Sequence, residues 1–117
     1  MTITQENRNG IHLLRAHGKL LLGEGTTTLH NAVQTLVQEK AAVLVALDLS
    51  EVPYIDSAGL GTLVSAYTSV TSHGGQLVLV RPTKKIDDLL QVTKLHTVFQ
   101  IFATAEEAVT ALSSAGV

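Results

Sequence analysis

The chain predicts one α/β domain over residues 1–117, a small mixed, mostly parallel sheet of four to five strands with about four helices. Three observations carry this. Short valine- and leucine-rich runs alternate with segments of helical period, the pattern of parallel strands joined by right-handed crossovers. Asn9-Gly10 near the start accepts positive φ at both positions and marks a two-residue hairpin, hence one antiparallel pair. A chain of this length buries roughly two-thirds of its unfolded surface, so an aliphatic core suffices without disulfide or metal.

Thr2 to Arg8 is polar and at best an edge strand, and Ile11 to Ala16 is the strand that returns from the turn. Gly18 and Gly23 interrupt the pattern, with Leu20-Leu21-Leu22 between them as a short buried piece and Gly23-Glu24-Gly25 as loop. Thr26 to Lys40 is helical: Leu29, Val33, Leu36, Val37 and Lys40 share one face, and Thr26, Thr27 or Thr28 caps the start. Ala42 to Leu47 has the continuous apolar character of a strand covered on both faces, and Asp48 to Asp56, with Pro53 inside it, is loop. Ser57 to His73 is a second helix with Leu60, Leu63, Val64, Tyr67 and Val70 as its stripe, ended by Gly74-Gly75. Gln76 to Val80 is a strand; Pro82 and Thr83 introduce a third helix that buries Ile86, Leu89 and Leu90. Thr97 to Phe102 is a last strand, and Thr104 with Glu107 boxes the start of a helix running through Leu112.

Composition excludes several functions. A net charge of -2 is not that of a nucleic-acid binder. The longest apolar stretch, Ala41 to Leu47, is too short to span a bilayer, and the first residues lack the basic and apolar segments of a signal peptide. The expectation is a soluble cytoplasmic protein with no membrane partner, no cofactor and no demand for more than a monomer. The absence of Cys removes thiol nucleophiles and thiolate metal sites. His12, His17, His30, His73 and His96 lie at no zinc-ligand spacing, so no metal site is expected and scattered surface histidines are the reading.

The chemistry concentrates at Asp56-Ser57-Ala58-Gly59-Leu60-Gly61, which sets a serine at the mouth of a helix, beside a carboxylate. An Asp or Ser before a helix is commonly only an N-cap. The two glycines weigh against that alone, because each costs about 0.5–1 kcal/mol inside a helix and a cap does not require them. They keep the surface around the serine low. A hydrolase elbow needs Gly-x-Ser-x-Gly, and Ile55 stands where the first glycine belongs; Asp88 and His96 follow in triad order with nothing else to support them. Gly59-x-Gly61 lacks the third glycine of a dinucleotide loop and the lysine of a P-loop. Arg81, Lys84 and Lys85 form a small basic cluster around Pro82, by default a solvated loop and helix start, with a rim contact to an acidic partner as the sharper reading.

Leu47-Asp48-Leu49-Ser50, Val52, Tyr54-Ile55-Asp56-Ser57-Ala58-Gly59-Leu60-Gly61 and Leu63 together resemble the signature of the single-domain STAS anti-sigma factor antagonists. The resemblance extends to Gly18, to Gly74-Gly75-x-Leu77, and to Phe99-x-Ile101-Phe102 with Glu106-Glu107-Ala108. It implies a STAS-like fold and a non-enzymatic partner switch. The unmodified protein binds an anti-sigma factor that is also a serine kinase, and so frees a sigma factor. Phosphorylation of the serine matching Ser57 ends that binding, and a serine phosphatase resets it. The alternative is a STAS-fold signalling or scaffold module with a non-sigma partner. Phosphorylation adds about 1.5–2 negative charges, which a helix N-terminus tolerates and can hydrogen-bond. The expected partner face is Asp56, Ser57, Ala58, Gly59, Gly61 and Thr62, with Ser65 on the next turn and Ser50, Glu51 and Tyr54 at its border. Many relatives carry an acid directly after the early Gly-x-Leu; here Gly18-Lys19-Leu20 is followed by Leu21, and Glu24 is the candidate for that place.

Overall fold

The structure, a computed structural model, describes residues 1–115. Strands β1 (Thr2–Arg8) and β2 (Ile11–His17) form the antiparallel hairpin. Asn9 and Gly10 sit at φ 55° and 86° in its turn. Helix α1 (Glu24–Glu39), β3 (Leu44–Glu51), α2 (Ser57–Ser72), β4 (Gln76–Val80), α3 (Lys84–Val92), β5 (Ile101–Phe102) and α4 (Ala105–Ala115) follow. The sheet order is β1-β2-β3-β4-β5, parallel from β2 onward.

That order dictates where the helices go. The parallel strands advance in one direction across the sheet, so right-handed crossovers all fall on the same face. Leu14, Val45, Leu47, Leu49, Leu77 and Leu79 point to that face and build the main core with Leu29 and Val33 of α1, Leu63 and Val70 of α2, and Ile86 and Leu90 of α3. Alternate residues Ile11, Leu13, Ala46, Val78 and Val80 point the other way, where Ala105, Ala108 and Leu112 of α4 cover them. β3 is thus buried on both sides, as its composition implied.

Four boundaries differ from the sequence reading. Ala42 turns at φ 56°, which delays β3 to Leu44, and the strand then continues through Asp48–Glu51, the segment expected to be loop. Asp48 misled because a carboxylate argues against a strand interior, yet here Arg81 meets it at 3.0 Å and the Ser50 amide at 2.9 Å. Helix α1 begins at Glu24, with Gly23 as N-cap, so Gly25 is a buried helical residue and not loop. The threonine contribution comes from the third helical position: Thr26 Oγ1 accepts the Gly23 N–H at 3.1 Å. β5 is only Ile101–Phe102, because Lys94 at φ 61° and a 3-10 turn over Leu95–Thr97 use the residues before it. Of the Leu20–Leu22 piece only Leu20 is buried, and Leu22 is 78% exposed.

Candidate functional site

Beyond β3 the chain crosses Val52–Asp56 and enters α2. Asp56 is the N-cap: its backbone is extended and its Oδ1 accepts the Gly59 N–H at 2.7 Å. Its Oδ2 accepts the Leu22 N–H at 3.0 Å, joining α2 to the segment between β2 and α1. These amide bonds, from Leu22 and then Gly59, hold the Asp56 carboxyl below the usual carboxylate range. Since Asp56 supplies the cap, the Ser57 hydroxyl is not needed for it, and Ser57 is exposed.

Residues 19–22 form a strap beside the serine loop. Leu20 bridges Ile55 in parallel, Leu20 N–H donates to the Tyr54 carbonyl at 2.9 Å, and Asp56 N–H donates to the Leu20 carbonyl at 3.4 Å. Two glycines let the helices close on this strap. A Cβ on Gly25 of α1 would lie 2.5 Å from the Lys19 carbonyl oxygen, and one on Gly59 of α2 would lie 2.2 Å from that of Leu20.

Gly59 is therefore buried and not an exposed neighbour of the serine; its glycine is a packing requirement. Gly61 has nothing within 4 Å of its missing Cβ and is exposed, so it alone fits the expectation of a lowered surface. Ala58, Asp56 and Thr62 are half-buried, and the Thr62 hydroxyl donates to the Ala58 carbonyl at 3.0 Å. Ser65, Glu51 and Tyr54 are exposed, and Ser50 is half-buried. Leu63 faces the core, while Leu60 and Val64 are half-buried against it. Glu24 opens α1, exposed, with its carboxylate on the Met1 amino group at 2.9 Å. At the helix mouth the Gly59 amide is already taken by Asp56.

Sequence reasoning missed the residues around Tyr54. Lys19 Nζ lies 5.7 Å and Lys85 Nζ 5.1 Å from the centre of its ring. The sequence points only to Lys85 of this pair, as part of a basic cluster that the structure divides. Lys84 pairs with Asp88 at 2.9 Å, and Arg81, an exposed loop residue, is also the partner of buried Asp48, with Arg15 Nε at 3.7 Å from the same oxygen. Burial pushes the Asp48 carboxyl up, but the Ser50 amide and Arg81 together outweigh it and leave it below the ordinary value. Asp88 is thus engaged with Lys84, and His96 Nδ1 lies 3.3 Å from the Leu90 carbonyl, so neither is held in a triad with Ser57. His12 is buried rather than on the surface, and its Nε2 has no hydrogen-bond partner among the described residues. No described helix is long and apolar enough to cross a membrane.

Comparison with known proteins places this arrangement. An anti-sigma-B factor antagonist of Listeria monocytogenes is 34% identical over 64 residues, 55% of this chain and 56% of its own length. The chain spans about half the length of the curated relatives it matches at such identity. A Thermotoga maritima structure, provisionally named an anti-sigma factor antagonist, superposes with a TM-score of 0.87 at 26% identity, covering 95% of this chain and 94% of that one. The Bacillus protein SpoIIAA in its unphosphorylated form gives 0.81 at 18% identity over 97% of each chain, a likeness of fold. The STAS domain profile matches residues 2–108, and with the five-stranded mixed sheet and four helices this shows that the chain belongs to the STAS domain family.

Proposed function

We propose that this protein is an anti-sigma factor antagonist, a non-enzymatic regulator that acts in the cytoplasm as a monomer and is switched at Ser57. Unmodified, it binds an anti-sigma factor that is also a serine kinase and so frees a sigma factor; phosphorylated, it lets go until a serine phosphatase restores the hydroxyl. The observation that carries the reading is an exposed serine at the first position of α2, relieved of capping by Asp56 and fronted by the bare surface at Gly61. The names of the relatives support it, and one structural neighbour is known in both phosphorylated and unphosphorylated forms.

The switch works by charge. A phosphate on Ser57 stands beside the ionised Asp56, whose oxygens already hold the nearby amides. Docking then requires two adjacent negative groups to be desolvated against a partner fitted to a hydroxyl. A penalty of ~3–4 kcal/mol weakens binding several hundred-fold. Asp56, Ser57, Ala58, Gly61 and Thr62 make the contact, Gly59 supports them from below, and Glu51 and Tyr54 form the rim.

The test mixes the protein with ATP and the kinase-type anti-sigma factors of its own genome. Phosphate on Ser57, tight binding by Ser57→Ala and weak binding by Ser57→Asp are expected. Equal affinity of the two folded variants would remove Ser57 from the mechanism, and tight association without phosphorylation would favour a scaffold role.

A further inference from the structure

Two of the exposed large apolar side chains, Leu22 and Tyr54, lie at the serine end of the molecule. Leu22 is pinned there by the bond from its amide to Asp56, and Tyr54 by its carbonyl's bond from Leu20. Both backbones are therefore fixed relative to Ser57. Lys19 and Lys85, both exposed, flank the Tyr54 ring.

Three of the nearby acids are occupied. Asp56 is bonded to two amides, Glu24 to the Met1 amino group and Asp88 to Lys84. Glu51 is exposed and in no ion pair among the described residues. Among the described residues Lys19 and Lys85 have no carboxylate partner, so they leave a positive rim on a protein whose net charge is negative. A shallow groove of about 280 Å³ between the strap and α1, lined by Met1, Lys19, Leu21, Leu22, Glu24 and Gly25, adjoins the patch, and its one carboxylate, that of Glu24, is paired with the Met1 amino group.

We propose that Lys19, Leu22, Tyr54 and Lys85 form a docking face beside Ser57 for an acidic segment of the partner protein, which seats an apolar side chain on Leu22 and Tyr54 and sets carboxylates against the two lysines. The inference rests on the reading of Ser57 as a partner switch and specifies the partner's surface. The lysines govern encounter, because exposed complementary charge acts mainly on association rate and is screened by salt. Leu22 governs dwell time, because its contact is apolar.

Binding kinetics with the purified anti-sigma kinase from the same genome test this at low and high salt. Lys19→Glu/Lys85→Glu is expected to slow association at least tenfold and to flatten its salt dependence. Lys19→Gln/Lys85→Gln, which adds no repulsion, gives a smaller loss, and Lys19→Arg/Lys85→Arg keeps wild-type kinetics. Leu22→Asp is expected to speed dissociation at least tenfold. All three substituted sites are exposed, so thermal unfolding stays within a few degrees of wild type. Wild-type kinetics in the glutamate variant, with binding still lost in Ser57→Asp, would overturn the docking face and leave the switch intact. No binding by the wild-type protein would end both.

Discussion

Gly59 and Gly61, two residues apart, are glycine for opposite reasons. At Gly59 a methyl group collides with the Leu20 carbonyl, so Gly59→Ala is expected to cost about 2–3 kcal/mol in urea unfolding. At Gly61 the methyl meets nothing, and Gly61→Ala is expected to gain about 0.5–1 kcal/mol of helix stability while weakening partner binding. A glycine kept at a cost to stability in open space points to the surface it leaves low; binding unchanged in Gly61→Ala would remove it from the interface. Asp56→Ala loses the cap and the tie to Leu22 together and is expected to lower stability by about 1–2 kcal/mol, read as a fall in melting temperature. The serine, its neighbouring acid and the bare Gly61 were legible because their spacing fits a helix start. Leu22 and Lys19 were not, since nothing local in the sequence reveals that a strap will lie against residues 54–56.

Among the elements, β3 leads into the site, and it runs on through Asp48–Glu51 where its polarity predicts a loop, because the polar Asp48 is buried and not exposed. Asp48 and Leu49 alternate sides within the strand, the carboxylate toward Arg15 and Arg81 and the leucine into the main core. Its ion pair spans β3 and the end of β4, contacts too distant in sequence to be seen from residue 48. Arg81→Ala is expected to cost about 1–3 kcal/mol, since it strips a buried carboxylate of its nearest cation while Arg15 and the Ser50 amide remain. A loss under about 0.5 kcal/mol in denaturant unfolding would show that water replaces the arginine. The apolar faces of α1 and α2 were readable from periodicity, whereas β5 was overextended because Thr97–Gln100 carries strand-like residues that a tight turn consumes.

For the whole molecule the alternation of strands and helices announced the architecture, while the sheet order follows only when the one-directional crossovers are seen in space. Acid should destabilise the domain in two stages. Burial, with Lys40 nearby, holds His12 below its ordinary pKa, and Glu39 opposes this. The unfolded chain then binds that proton more readily, so the contribution is complete above about pH 6.5 and is lost as pH falls through the lowered folded value. Asp48 and Asp56, both lowered on folding, contribute above about pH 3.9 and lose that contribution as pH falls through their folded values. His12→Phe is expected to abolish the first stage only, checked by urea midpoints between pH 7.5 and 5. One consequence of the Asp56 bridge reaches beyond stability. The amide proton of Leu22 rests on an oxygen of the residue adjoining the serine proposed as the switch, so its resonance frequency and its rate of exchange with solvent would register esterification thirty-five positions further along the chain. On the proposed switch, that single proton is a built-in gauge of the state of Ser57, readable with no partner in the tube.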